Sequence, residues 1–402
     1  MPVSPRTVVG RLRRYCSLLA EAVVHAAVAL ATGAVGRDDD LWVFGARGGS
    51  TFGENSKYQF LHVADRCPGV RAVWIARDRD VIGALRSRGY EAYHPFSPRG
   101  VLLQLRAGVV FLTHNFRDVN RWTVGGATVV MLWHGIPMKR VSWDAELGKL
   151  PPVVRSASRY LYRRYDCVAL TGRGTLDVFV SGFRLPPERF AVTGYPRTDV
   201  LFEPVPDADV GVATDALAEI RRLSEGHDVL LYLPTFREEP DARATEHLDL
   251  DALDRLLDAH DAYLVLKLHP EERLDRDVSD YSRLLRLPSE SDVYPVLPHT
   301  DALITDYSSV FFEYLLLDEP VIFYPYDLGE YRAGRGFYYE YDSVTPGPTA
   351  TDGDELLAAV DRTLGGEDRF AAERRAVRDR FFDHRGGGRA AAVCDAVRDR
   401  LD

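Results

Sequence analysis

The residues of this chain best suited to chemistry lie in the run ALITDYSSVFFEYLLLDEPVIFYPY at 302–326. Thr305 and Asp306 end a short apolar stretch, Ser308 and Ser309 stand where a helix must begin, and Glu313 follows four residues later. That order predicts a buried strand, a turn, a helix and a second buried strand. Unpaired backbone N–H groups and the positive end of the helix dipole would then favour an anion at the sheet's carboxyl edge. Glu313 would share the helical face of Ser309, one turn deeper. The pattern fits a nucleotide-diphosphate site, with the serines on phosphate and Glu313 on ribose hydroxyls. An ordinary helix cap with a solvated glutamate behind it has the same signature.

Four further segments run from an apolar stretch into a polar turn bearing His or Arg: VVMLWHGIPMK at 129–139, FAVTGYPRTD at 190–199, VLLYLPTFR at 229–237 and YLVLKLHP at 263–270. They put His134, Arg197, Arg237, Lys267 and His269 at strand ends. An imidazole serves as a general base near neutral pH, and a guanidinium fork matches phosphate oxygens. Taken singly, each is equally at home as a capping histidine or a salt-bridged cation.

Together these turns resemble the CDP-glycerol glycerophosphotransferase family, enzymes that build or prime teichoic-acid-type polymers. The resemblance rests on W-H-G-x-P-x-K at 133–139, G-x-P-R-x-D at 194–199, Y-x-P-T-F-R at 232–237, K-x-H-P at 267–270, T-D-Y-S-S at 305–309 and R-G-F-Y at 335–338. One such tetrapeptide is a weak signal; six in this order over about two hundred residues are specific. The run GENSKY at 53–58 matches the family only loosely.

The resemblance implies transfer of glycerol phosphate, or a related alditol phosphate, from CDP-glycerol or CDP-ribitol to a hydroxyl of a lipid-linked or polymeric glycan, with release of CMP. It implies His134 as the base and His269 as a partner of the transferred or leaving phosphate. Lys267, Arg197, Arg237 and Arg335 are further candidates for phosphate contact at the donor site, beside Thr305, Ser308, Ser309 and Glu313, while Asp306 could position a serine or the histidine. Positioning and charge stabilisation dominate such chemistry.

Apolar runs alternate with helix-length segments, from 41–44, 72–75, 109–113, 129–133, 167–171 and 190–193 to 229–233, 263–268, 302–305 and 321–324. That alternation predicts an α/β protein with two doubly wound Rossmann-like domains, whose ligands bind beyond the carboxyl ends of the strands. The resemblance names two such domains facing a cleft the GT-B arrangement. The Pro- and Asp-rich stretch 202–209 separates the two series. The expected divisions are a basic, apolar helix at 1–36, an acceptor-side domain at 37–204, a CDP-donor domain at 205–385 and a last helix at 386–402 after the glycines at 386–388.

A formal charge of −10 argues against a nucleic-acid partner. Four lysines stand against forty-six arginines, a bias of GC-rich or salt-adapted sources. Cys16, Cys67, Cys167 and Cys394 lie far apart, so neither disulfides nor a metal site is expected and the cytosol fits best. No cofactor is expected, although Mg²⁺ carried in by the diphosphate stays open; activity should survive chelation. Near the N-terminus, Arg6, Arg11, Arg13 and Arg14 precede an Ala-rich apolar stretch interrupted by Glu21 and His25. Its uninterrupted run, 26–32, is too short to span a bilayer. A helix lying on the inner face of an anionic membrane and a helix packed on the first domain are the two readings. Two other functions stay open: a GT-B glycosyltransferase with a nucleotide-sugar donor, and a binding protein without catalysis.

Overall fold

The computed structural model describes residues 5–235, 247–268, 277–329 and 336–401. Arg237, His269 and Arg335 therefore lie outside the described residues. The chain divides into two compact units, one of Met1–His134, Val141–Asp199 and Gly388–Asp402, the other of Gly135–Arg140 and Val200–Gly387. The division falls at Asp199, a few residues before the expected one, and both terminal helices belong to the first unit.

In unit 1 the strands β1 (Asp38–Phe44), β2 (Arg71–Ile75), β3 (Glu91–Tyr93), β4 (Ala107–Leu112), β5 (Thr128–Met131), β6 (Cys167–Leu170) and β7 (Phe190–Val192) form one sheet. Their order is β3-β2-β1-β4-β5-β6-β7, with every pair parallel. Around it run α1 (Pro5–Val35), α2 (Glu54–Arg66), α3 (Arg79–Ser87), α4 (Pro98–Arg106), α5 (Pro152–Tyr162) and α6 (Leu176–Phe183). Every residue of β4 is buried, as a central strand covered on both faces requires. The core collects Val43, Val110, Val129, Trp133 and Phe179, and each such side chain contributes about 1.5–3 kcal/mol by leaving water.

Unit 2 repeats the plan with β8 (Val229–Tyr232), β9 (Tyr263–Leu266), β10 (Leu284–Arg286), β11 (Ala302–Thr305) and β12 (Val321–Phe323), in the order β10-β9-β8-β11-β12. Its helices are α7 (Thr214–Ser224), α8 (Leu250–Ala259), α9 (Val310–Tyr314), α10 (Gly353–Leu364) and α11 (Ala371–Phe381). In both sheets the order reverses beside the first strand, between β1 and β4 and between β8 and β11. Such reversal points open a crevice at the strands' carboxyl ends. The edge strands β3 and β10, three residues each, are the two that periodicity misses.

The last helix, α12 (Arg389–Leu401), packs in unit 1. Asp199 holds its start, accepting from the backbone N–H of Arg389 at 2.7 Å and of Ala390 at 2.9 Å. Gly194 adopts φ 76°, a left-handed value that favours glycine, and lies against the Arg389 side chain, whose Cδ would be 2.2 Å from a Cβ there. Along α12, Cys394 Sγ lies 3.8 Å from Cys67 Sγ. His62 joins them, with ligating atoms all within 4.8 Å of one another. The isolation of the cysteines expected from sequence is therefore corrected: the fold brings together thiols 327 residues apart.

The helix α1 is continuous over 31 residues. Its 25-residue stretch Gly10–Ala34 is long and apolar enough to cross a membrane, although the uninterrupted apolar run is short. Glu21 and His25, which break that run, are the residues that face the unit. Glu21 pairs with Arg121 at 2.9 Å, and the His25 ring donates from Nε2 to the Arg121 carbonyl at 2.5 Å. The opposite face carries exposed Leu12, Val23 and Leu30.

Candidate active site

His134 follows β5 at the end of a distorted strand. Trp133 has φ 58°, a left-handed value uncommon for a bulky residue, and Gly135 has φ 142°. Asn55 holds that distortion: its Nδ2 donates to the carbonyls of Leu132 at 3.3 Å and Trp133 at 3.0 Å, and its Oδ1 accepts from Arg197 N–H at 3.2 Å. His134 Nδ1 lies 3.0 Å from the Thr113 carbonyl. A carbonyl only accepts, so Nδ1 carries the hydrogen and the lone pair sits on Nε2. The ring stacks on His114 with centroids 4.2 Å apart and planes 2° from parallel. Burial, and then the neighbouring His114, lower the His134 pKa to about 4, which keeps the half-buried ring neutral at pH 7.

Next to it lies a charge network centred on the buried Arg197. Glu54 Oε2 pairs with Arg197 Nη1 at 2.5 Å and its Oε1 with Arg47 at 3.4 Å, while Arg197 Nη2 donates to the His134 carbonyl at 3.0 Å. Although burial opposes ionisation, Arg197 and Arg47 hold the Glu54 carboxyl below its ordinary value. Arg47, Glu54 and Trp133 all have positive φ, so three strained residues gather at one reversal point. Arg197, expected on donor phosphate, has its buried guanidinium on Glu54 and on the His134 carbonyl.

The turn after β4 is organised by Asp118. Its Oδ2 accepts from the N–H groups of Thr113 at 2.8 Å, His114 at 2.7 Å and Asn115 at 3.3 Å, and its Oδ1 from Gly48 at 2.8 Å. Gly45 makes room, since a Cβ there would meet the Asp118 carbonyl at 2.2 Å.

In unit 2, Asp306 has the corresponding place after β11. It accepts from Thr235 N–H at 2.9 Å, the Thr235 hydroxyl at 2.7 Å and Tyr307 N–H at 2.5 Å. The Thr305 hydroxyl donates to the Leu233 carbonyl at 2.7 Å. Thr305 and Asp306, expected at the donor site, are buried and tether the ends of β8 and β11. Ser308 and Ser309 are half-exposed beyond them. The Ser309 hydroxyl does not cap α9, and α9 is only five residues long before a 3-10 turn at Leu315–Leu317. The helix expected there is short, five residues of α-helix continued by the 3-10 turn. Glu313, expected on ribose hydroxyls, is fully buried and accepts from the Tyr294 hydroxyl. Lys267 Nζ donates to the Ser289 carbonyl at 2.6 Å and is half-buried. Tyr307 donates to Asp327 at 3.0 Å and packs beside Phe337 and Tyr341, as a packing residue should.

The tail of W-H-G-x-P-x-K belongs to this unit. Arg140 N–H donates to the Gly336 carbonyl at 3.2 Å and Tyr338 N–H to the Met138 carbonyl at 2.7 Å, so two motifs remote in sequence pair as backbone. Sequence reading missed Glu54, Asn55, Thr113, His114 and Asp118. For Glu54 and Asn55 the one visible signal was the polar run GENSKY opening a helix.

Residues 28–399 match the family model described as CDP-glycerol:poly(glycerophosphate) glycerophosphotransferase. The chain belongs to that family. Among glycerophosphotransferase relatives, it is 28% identical over 330 residues to the teichoic acid poly(glycerol phosphate) polymerase of Staphylococcus epidermidis, covering 77% of this chain and 44% of that protein. To the teichoic acid ribitol-phosphate primase of Bacillus spizizenii it is 30% identical over 281 residues, covering 67% of this chain and 68% of the primase. The chain spans less than half the length of several polymerases it matches, 44%, 38% and 45% for three of them. The solved structure of the wall teichoic acid polymerase TagF superposes with a TM-score of 0.74 at 23% identity, covering 99% of both chains, and shares the fold.

Proposed function

We propose that the chain transfers an alditol phosphate, from CDP-glycerol or CDP-ribitol, to a hydroxyl of a lipid-linked or polymeric glycan. The observation that carries this reading is the His134 tautomer: Nδ1 is committed to the Thr113 carbonyl, so Nε2 is the ring's one proton acceptor. The acceptor hydroxyl gives its proton to Nε2 as its oxygen bonds to the distal phosphorus. The bond from that phosphorus to the bridging oxygen breaks, and CMP leaves with the electron pair. A base of low pKa is matched to the task when an anionic donor lies beside it, because the phosphate charge favours the imidazolium. Ser308, Ser309 and Lys267 supply donors for the diphosphate, together with Arg237, His269 and Arg335 from the family motifs. The relatives' names support both donors: they are polymerases and primases of glycerol phosphate and of ribitol phosphate.

The enzyme works at the inner face of the cell membrane, with the apolar outer stripe of α1 and the basic Arg11, Arg13 and Arg14 resting on anionic lipid. The test is calorimetric titration of CDP-glycerol, CDP-ribitol and UDP-sugars into wild type and His134→Ala, with transfer followed by CMP release. His134→Ala is expected to bind a CDP-alditol as wild type does and to lose about 10³-fold in transfer. Selective binding of a UDP-sugar would instead make the chain a glycosyltransferase.

A further inference from the structure

Where the carboxyl end of α2 meets α12, unit 1 holds a cluster that the transfer reaction does not use. His62 is half-buried, Cys67 and Cys394 are buried, and their one nitrogen and two sulfurs lie within 4.8 Å of one another. The sulfurs are 3.8 Å apart. A disulfide requires about 2.05 Å. Two Zn–S bonds of about 2.3 Å, opened to the tetrahedral angle, instead set their sulfurs about 3.8 Å apart. The spacing of the thiols is therefore that of one edge of a zinc tetrahedron, and His62 stands within reach of a second.

The surroundings hold that arrangement. Cys67 N–H donates to the Val63 carbonyl at 3.1 Å, and the Cys67 carbonyl accepts from Val70 N–H at 2.9 Å. Gln59, fully buried, donates from Nε2 to the Ala390 carbonyl at 3.1 Å and to Cys394 Sγ at 3.1 Å. An N–H aimed at the sulfur orients and supports a thiolate ligand. Gln59 Oε1 is buried without a hydrogen-bond partner among the described residues. A water in the fourth position of the tetrahedron is a donor of the kind that this oxygen lacks.

We infer that His62, Cys67 and Cys394 bind a Zn²⁺ ion. Each thiol gives its proton to solvent as its sulfur bonds to the metal, and no electrons change hands. Two thiolates cancel the charge of the ion and the imidazole binds neutral, so the buried site carries no net charge. The ion ties the last helix of the chain to α2, joining residues 327 apart in sequence. It lies about 20 Å along α2 from Glu54 and Asn55. It therefore fastens the helix that carries the network beside His134 and touches none of the reacting atoms.

The test uses the full chain, reduced and stripped of metal. Zn²⁺ is titrated in competition with a chromophoric chelator, and Co²⁺ is added separately for its absorption. Wild type is expected to take up one equivalent of Zn²⁺ with a rise in thermal midpoint. With Co²⁺ it should show a thiolate-to-metal charge-transfer band and the intense visible bands of a tetrahedral ion. Cys394→Ser and His62→Gln are expected to bind Zn²⁺ about a hundredfold more weakly, and Cys16→Ser, at an exposed position of α1, as wild type does. His62→Gln alters a half-buried side chain, so it decides the matter even if Cys394→Ser does not fold. Reduced wild type that takes up no Zn²⁺, an octahedral Co²⁺ spectrum, or Zn²⁺ binding untouched by His62→Gln overturns the inference. So does oxidation of Cys67 and Cys394 to a disulfide by hydrogen peroxide at one rate with and without Zn²⁺, since the thiols would then not be ligands.

Discussion

The two reversal points of this molecule are built on one plan and finished differently. In each, a buried aspartate after the fourth strand of the unit gathers backbone N–H groups: Asp118 from Gly48, Thr113, His114 and Asn115, and Asp306 from Thr235 and Tyr307. Beyond Asp118 stand two stacked imidazoles next to the Glu54–Arg197 pair. Beyond Asp306 stand two half-exposed serines and, at the end of β9, a lysine. The first set is suited to holding a neutral base in one tautomer. The second offers donors and positive charge to an anion. In the proposed reaction, proton transfer falls to one unit and phosphate recognition to the other, and the difference lies in a handful of residues after the strands.

The strongest way to break this comparison is to remove each aspartate. Asp118→Ala leaves four backbone N–H groups without their acceptor, and is expected to cost about 3 kcal/mol of stability in denaturant unfolding. Asp306→Ala should cost a similar amount, and in the folded fraction it should weaken CDP-glycerol binding where Asp118→Ala does not. Equal donor binding in the two variants would mean that the reversal points are not specialised.

Acid offers a second test, because the described histidines driven to low pKa by burial lie mainly in unit 1. His25 is fully buried, its Nδ1 has no partner, and burial lowers its pKa to about 4 from an ordinary 6.5. Between those values the unfolded chain binds a proton that the folded chain refuses. Its contribution is therefore intact above pH 6.5 and falls as pH drops toward 4, by about 3 kcal/mol at most. Arg121 and Arg164 face the ring and oppose its protonation, while the raised pKa of nearby Glu21 works in the opposite direction. Unfolding midpoints at pH 7 and pH 5 should diverge more for wild type than for His25→Gln. An equal loss in both would assign the acid sensitivity elsewhere.

How much of this was legible in the sequence depends on the distance between partners. The strands and the turns at their ends could be read because apolar runs and turn residues are local signals, and the glycines at 386–388 marked the start of α12. The short reach of α9 was not legible, since VFFEYLLL reads as a continuing helix until Asp318 turns to φ 62°. Nor was the network next to His134. Glu54 meets Arg197 across 143 residues and Asn55 meets Trp133 across 78, so no spacing rule joins them. Glu313 and Ser309 share a face as the period requires, but only tertiary packing shows that Tyr294 covers Glu313.

Asn55 tests whether that network positions the base. Asn55→Ala removes two donors from the strained Leu132–Trp133 backbone and the acceptor of Arg197 N–H. With each bond contributing about 1 kcal/mol, kcat should fall about tenfold while KM for the CDP-linked donor stays put. A purely structural role would lower the yield of folded enzyme and leave kcat per folded molecule unchanged.

The smallest expected effect is also the most direct probe of the second reversal point. Ser308→Ala and Ser309→Ala each delete a half-exposed hydroxyl, and that of Ser309 does not cap α9. Neither change should therefore disturb the fold, and thermal midpoints should move little. If the hydroxyls bond donor phosphate, each contributes about 1.5 kcal/mol, as bonds to a charged acceptor do. KM for the donor should then rise about tenfold, with kcat and its pH profile unchanged because His134 lies in the other unit. A fall in kcat at constant KM would move the serines from holding the diphosphate to stabilising the charge that develops as CMP departs, and phosphate recognition would then rest on the cations alone.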